Sequence, residues 1–211
     1  MRNRTENQIK LVMIRHGATK GNRERRYIGR TDTSLTDEGV KELLENKKGN
    51  CYPQADVLFV SPMKRCLETA GILYPGVRSV IIPEWKEIDF GAFEGKNYIE
   101  LKEDDRYQAW IDSGGTLPFP EGESREAFIS RCEAGFREML EVLAAREGQE
   151  KACTAGLIVH GGTIQALLSR YSGGDYFDYQ VPNGSGYLGT LLREDGKIKI
   201  ELLRKISGGN N

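Results

Sequence analysis

The chain has 211 residues and a mass of 23.7 kDa, enough for one substantial hydrophobic core and short for two, so a single domain over 1–211 is expected. A hydrophobic content of 38%, a charged content of 29% and a mean hydropathy of −0.51 argue against disorder and against a membrane-embedded chain. The formal net charge of −1 provides no global field for nucleic acid or an anionic membrane, so neither partner is expected.

Met1 to Lys10 is polar and lacks the apolar core of a secretory signal, which predicts a cytoplasmic protein. A strand-type run, Ile9 to Ile14, then breaks into Arg15-His16-Gly17. A second run covers 56–60. Ser61-Pro62 follows as a predicted N-cap and first helical position, opening a helix through about Leu73 with Arg65 near its first turn. A third run lies at 79–82. From about 90 to 123 the pattern is irregular, with Tyr98, Tyr107, Trp110 and Phe119 among acidic residues and a Gly114-Gly115 break. This stretch reads as a lid-like insertion over the carboxyl edge of the sheet, its aromatics either packing on one another or facing a substrate.

Ser124 is the predicted cap of the longest helix, on which Phe128, Cys132, Phe136, Met139, Leu140 and Leu143 share a face and Gly148 is the stop signal. A fourth strand run, 153–159, breaks into His160-Gly161-Gly162. Residues 186–193 and 197–203 flank Asp195-Gly196 as a β-hairpin, and Gly208 to Asn211 reads as a frayed end. Strands alternating with helices predict an α/β fold with a mostly parallel sheet, whose ligands bind at the carboxyl ends of the strands. Cys51, Cys66, Cys132 and Cys153 are widely spaced and read as buried thiols. Gly184 to Gly189 spells GxGxxG but leads into a hairpin strand rather than a helix, which argues against a dinucleotide loop.

The chain has only two histidines, His16 and His160, each where a strand run meets glycine. Arg15, His16, Arg65 and His160 thus leave three strand ends on one edge. Two guanidiniums beside two imidazoles form an anion site suited to a phosphoryl group, and Gly161-Gly162-Thr163 opening a helix adds backbone amides. No metal-ligand cluster is visible, so metal-free chemistry with His16 as nucleophile is expected, its pKa held down by neighbouring cations. His160 would stabilise the transferring group. A proton for the leaving oxygen would come from Glu84, Glu87 or Asp89, all three within one short segment.

The segments Arg15 to Asn22, Ser61 to Ala70, Glu87 to Gly95 and Val159 to Thr163 together resemble the histidine phosphatase superfamily, the phosphoglycerate-mutase-like fold. That resemblance implies a three-layer sandwich with helices on both faces of a mostly parallel sheet bearing antiparallel edge strands. It also implies a phosphohistidine on His16, a phosphate pocket from Arg15, Arg65, His160 and Gly161 with Asn22 assisting, Glu87 as proton donor, and no cofactor. Pro120 to Ser124 and the modest length look more like the smaller branch of α-ribazole and broad-specificity phosphatases than like glycolytic mutases. Ala18 stands where relatives often carry glutamate, and Ile28 precedes Gly29 where a polar residue is commoner. Ile28, Gly29 and Arg30 are candidate substrate contacts, Arg30 being otherwise a solvated member of the basic run from Arg23. The expected activity is metal-independent hydrolysis of a small-molecule phosphate monoester, with α-ribazole 5'-phosphate one candidate. A phosphoglycerate-type mutase and an idle phospho-ligand binding module are the alternatives.

Overall fold

The computed structural model describes residues 9–145, 153–194 and 196–207. Six strands, β1 (Ile9–Arg15), β2 (Val57–Val60), β3 (Ser79–Ile81), β4 (Cys153–Val159), β5 (Gly186–Glu194) and β6 (Lys197–Ile206), form one sheet in the order β3-β2-β4-β1-β5-β6. The first four in that order are mutually parallel, and β5 and β6 close the far edge antiparallel. The helices are α1 (Lys20–Arg23), α2 (Asp37–Lys48), α3 (Lys64–Leu73), α4 (Tyr98–Leu101), α5 (Asp105–Asp112), α6 (Arg125–Ala144) and α7 (Gly161–Tyr171).

The central strands are apolar nearly throughout because both of their faces are covered. Side chains alternate across a strand, so Leu11, Met13, Phe59 and Leu157 pack with α6 and α7 through Phe128, Phe136, Ile164 and Leu167. Val12, Ile14, Leu58, Val60 and Ile158 face the other way, onto Leu43 of α2 and Cys66, Ala70 and Leu73 of α3. The result is the three-layer α/β sandwich with antiparallel edge strands. Register places the site: Arg15 pairs with Val159, so His16 and His160 leave neighbouring strands side by side at the carboxyl edge.

The Ser61-Pro62 cap reading is corrected. Helix α3 begins at Lys64 with Met63 at its N-cap and no side-chain cap bond, because Ser61 Oγ is turned instead to His160. Ser124 does cap α6, accepting from Ala127 N, and the predicted apolar face of that helix is buried. The hairpin forms, with β6 running three residues further than expected, and the GxGxxG run opens β5. A Cβ on Gly186 would lie 1.7 Å from Met13 O, so its glycine serves strand packing. Cys66 and Cys132 are buried, whereas Cys51 and Cys153 are only half-buried. Among the described residues no helix is long and apolar enough to cross a membrane. The expectations placed on Met1 to Gln8, Gly148, Asp195 and Gly208 to Asn211 lie outside the described residues.

Within 90–123, the rings of Phe90, Phe93, Tyr107, Trp110 and Phe119 pack with one another and with Tyr27. Tyr107 and Phe119 are buried there, and Tyr98 stands exposed.

Candidate active site

His16 follows β1 and is held by its backbone on both sides. Its N–H donates to Val159 O (2.9 Å), and its carbonyl accepts from Asn183 Nδ2 (3.0 Å) and Gly184 N–H (3.2 Å). The next residue is packed closely, since a Cβ on Gly17 would lie 2.7 Å from Leu43 Cδ1 and Leu43 would have to shift. The imidazole is buried, with Nδ1 2.7 Å from Gly17 O. A carbonyl can only accept, so Nδ1 carries the hydrogen and Nε2 keeps its lone pair. The His160 ring stands edge-on to it, with centroids 5.2 Å apart at 68°.

His160 sits at the N-cap of α7, and its Nε2 is 2.8 Å from Ser61 Oγ. Its Nδ1 faces the charged groups: Arg65 Nε donates to it at 3.3 Å and Glu87 Oε2 lies 3.9 Å away. Arg65 is 1% exposed and also donates to Gly29 O (2.9 Å) and Thr31 O (3.0 Å). Arg15 donates through Nη1 to Val181 O (2.8 Å), while its Nε is buried with no hydrogen-bond partner among the described residues. Both guanidiniums therefore bond to carbonyls, which fix them without neutralising them.

Of the three candidate carboxylates, only Glu87 reaches the histidines. Glu84 lies against Glu138 of α6, whose carboxyl is raised by burial and by that like-charged neighbour. Asp89 is taken up by Arg30 Nε (3.2 Å) and the Gly91 N–H (3.0 Å). Glu87 Oε1 accepts from Ile88 N–H (3.0 Å). It packs so closely against the start of α7 that a Cβ on Gly162 would come within 2.7 Å of Oε1. Gly161 lies beside Arg15.

Burial decides the protonation states. It pushes both imidazoles well below their ordinary range, and Arg65, Arg15 and, for His160, the His16 ring push the same way. The same burial raises Glu87 above the usual carboxylate range against the pull of Ile88 N–H and the arginines. Near neutral pH the site thus holds two neutral imidazoles, two guanidiniums and a carboxyl that retains its proton more readily than usual. This combination can bind an anion, attack it through an unprotonated nitrogen and supply a proton.

The remaining predicted residues surround this centre. Asn22 Oδ1 accepts from Thr19 N–H and Oγ1 (both 3.0 Å) and from Asn183 Nδ2 (3.2 Å), so its amide NH2 is the group left for a ligand. Ile28 packs on Gly21, Gly29 supplies the carbonyl that holds Arg65, and Arg30 is 70% exposed at the rim. Three supporting residues were not foreseen. Ser61 and Asn183 contact histidines across 99 and 167 positions of chain, which no local pattern encodes. Arg131 of α6 donates to the carbonyls of Glu84 (2.6 Å), Lys86 (2.6 Å) and Glu87 (3.0 Å) while paired with both oxygens of Glu123 (2.7 and 2.8 Å). The only signal for it was an arginine adjoining the apolar face of a helix. The mouth is a cavity of about 390 Å³ bordered by Arg15, Glu87, Gly161, Gly162, Gln165 and Val181. Among the described residues no group of His, Cys, Asp and Glu is arranged to hold a metal ion.

Comparison with known proteins places the family and the fold. The family model of the histidine phosphatase superfamily (branch 1) matches residues 11–204. A 2,3-bisphosphoglycerate-dependent phosphoglycerate mutase from Bifidobacterium longum (strain DJO10A) is 31% identical over 188 residues, covering 75% of each protein. Among solved structures, an α-ribazole phosphatase from Shigella flexneri superposes with a TM-score of 0.75 at 23% identity, covering 96% of this chain and 99% of that one. A phosphoserine phosphatase mutant from Entamoeba histolytica, in complex with phosphoserine, superposes with a TM-score of 0.72 at 26% identity, covering 95% and 98%. By the extent of the family match and the similarity to the mutase, the chain belongs to branch 1 of the histidine phosphatase superfamily.

Proposed function

We propose that this protein hydrolyses small-molecule phosphate monoesters through a phosphohistidine on His16. The observation that carries the reading is the bond from Nδ1–H of His16 to Gly17 O, which leaves Nε2 unprotonated in a pocket with two un-neutralised arginines. In the first step Nε2 attacks phosphorus and the bond to the ester oxygen breaks. Glu87 gives its proton to that oxygen, releasing the alcohol. Arg15, Arg65 and the amides at the start of α7 hold the phosphoryl oxygens, Asn22 supplies a further donor, and His160 stabilises the group without becoming attached to it. In the second step the Glu87 carboxylate takes a proton from water, whose oxygen attacks phosphorus. The P–N bond breaks, giving inorganic phosphate, neutral His16 and reprotonated Glu87.

His16→Ala is expected to abolish phosphate release from a panel that includes α-ribazole 5'-phosphate, phosphoserine and phosphoglycerates. Unimpaired hydrolysis by that variant refutes the mechanism. The 31% identity to a mutase supports a second reading, in which the phosphoryl group passes to another alcohol. Isomerised phosphoglycerate in place of free phosphate among the products would favour it.

A further inference from the structure

Beside the polar mouth lies a second cavity of about 190 Å³ with a different character. Ile88, Phe90, Trp110, Leu117, Phe119 and Phe177 line it, and Trp110 and Phe119 stack within it, centroids 4.9 Å apart. The two cavities adjoin, with Glu87, Gly162 and Gln165 on the walls of both. Among the described residues, the charged groups on its wall are Glu87 and Arg125. Arg125 donates to the carbonyls of Gly114 and Gly115, and its guanidinium lies over the rings of Tyr176 (5.4 Å) and Phe177 (4.9 Å).

We infer that this slot receives the leaving alcohol and selects phosphate monoesters whose alcohol carries a flat aromatic ring. The inference rests on the proposed hydrolysis in one respect: Glu87 is the group that protonates the ester oxygen. The alcohol therefore leaves from the residue that borders both cavities, and the slot is the apolar space beyond it. The volume suits one ring system, since a cavity of about 150 Å³ lined by apolar side chains accommodates benzene. For a carboxylate-bearing alcohol such as serine or glycerate, placing its charge among the rings carries a desolvation cost, and Arg125 Nη2 is committed to the carbonyls of Gly114 and Gly115. The indole Nε1 of Trp110 is buried without a partner among the described residues, so a ring bearing an acceptor atom within its reach gains a hydrogen bond as well.

The test pairs substrates of similar intrinsic reactivity. Benzyl phosphate is expected to exceed n-propyl phosphate in kcat/KM by about 10- to 150-fold, the value of burying a phenyl ring. O-phosphoserine should rank with or below the propyl ester. In parallel, 2-phenylethylphosphonate and n-butylphosphonate, which cannot be hydrolysed, are compared for Kd by calorimetry, with a ring preference of the same order expected. Leu117→Asp and Phe177→Ala alter side chains that are each 47% exposed, so folding should survive, as thermal melts can verify. Both should cut the benzyl-to-propyl ratio by about tenfold or more. Equal turnover of the two esters, a preference for phosphoserine, or a ring preference that survives both variants overturns the slot while leaving hydrolysis standing. Tighter binding of the phenyl phosphonate with no hydrolysis of any ester leaves the slot standing and refutes the proposed function.

Discussion

Replacing Glu87 with glutamine separates its proton from its shape. The amide oxygen can still accept from Ile88 N–H, and the Arg131 bond to the residue 87 carbonyl is untouched, so the local fold should persist. What disappears is the proton for the leaving oxygen, worth typically about 10²–10⁴-fold, or about 2.7–5.4 kcal/mol of barrier. That loss should appear in kcat/KM, which reports the steps up to release of the alcohol, for an alkyl ester such as benzyl phosphate and shrink below about tenfold for p-nitrophenyl phosphate, whose phenolate leaves unaided; kcat should fall for both, because water activation in the second step also uses Glu87. The stability effect has the opposite sign. Burial raises the carboxyl of Glu87, so its contribution to stability is present at low pH and is lost as pH rises through the raised value. The glutamine variant escapes that loss and should unfold at higher urea than the wild type above neutrality. The alkaline limb of the alkyl-ester pH profile should also vanish in the variant. Steady-state kinetics on both esters from pH 5 to 9, with urea titrations alongside, read all three effects. Equal losses in kcat/KM on the alkyl and aryl substrates would refute the assignment of Glu87 as proton donor.

Other perturbations test the scaffold around these groups. Arg131→Met removes donors from three carbonyls and leaves Glu123 unpaired, so a destabilisation of about 3 kcal/mol is expected. If its role is to position Glu87, kcat/KM should fall further on alkyl esters than on aryl esters, and Arg131→Lys should rescue only part of it. Gly29→Ala would place a Cβ 2.0 Å from Ile88 O, shifting the carbonyl that holds Arg65. Expected are a loss of at least about 2 kcal/mol in urea denaturation and weaker competitive inhibition by phosphate; unchanged inhibition would show that Arg65 needs no such anchor. Because both histidines have folded pKa values below the ordinary 6.5, the stability they contribute is present above that pH and is lost as pH falls below it. Each adds up to about 1.4 kcal/mol per pH unit to that slope, so His160→Gln should flatten the fall in urea midpoint between pH 6.5 and 5, and an unaltered slope counts against a buried neutral His160.

The parts of the molecule that were legible in the sequence are those whose cause is local. Apolar runs ending in glycine marked β1 and β4, and parallel pairing then put His16 beside His160, because sheet geometry carries both strand ends to one edge. Ser61 shows where this reasoning stops. Serine before proline is a strong cap signal, yet its hydroxyl serves His160, and the bond to a buried imidazole outweighs a cap that Met63 N–H uses only at 3.4 Å. Arg131 illustrates a second limit, since its neighbours are carbonyls on a separate segment and carbonyls leave no mark in a sequence. The aromatics of 90–123 pack on one another, as one of the two readings open to them expects. Tyr107 and Phe119 are buried in the packing of that segment, while Trp110 and Phe119 also border the slot beside Glu87, so one cluster is both small core and pocket wall.

The charge state of the site follows from burial acting unequally on unlike groups. Imidazole and carboxyl can respond to desolvation by becoming neutral, and both histidines and Glu87 shift in that direction. A guanidinium cannot, because even when burial lowers its pKa, as at Arg15, it stays protonated at any pH where the protein folds. The same low-dielectric environment therefore leaves two positive charges, held by the carbonyls of Val181, Gly29 and Thr31 and balanced by no bound carboxylate. A phosphate monoester dianion matches that charge, and its arrival would further favour the protonated form of Glu87 just before the proton is needed. In the proposed hydrolysis the order of events then needs no separate switch: ligand charge would favour the acid form, and departure of the alcohol with the proton would leave the carboxylate that activates water.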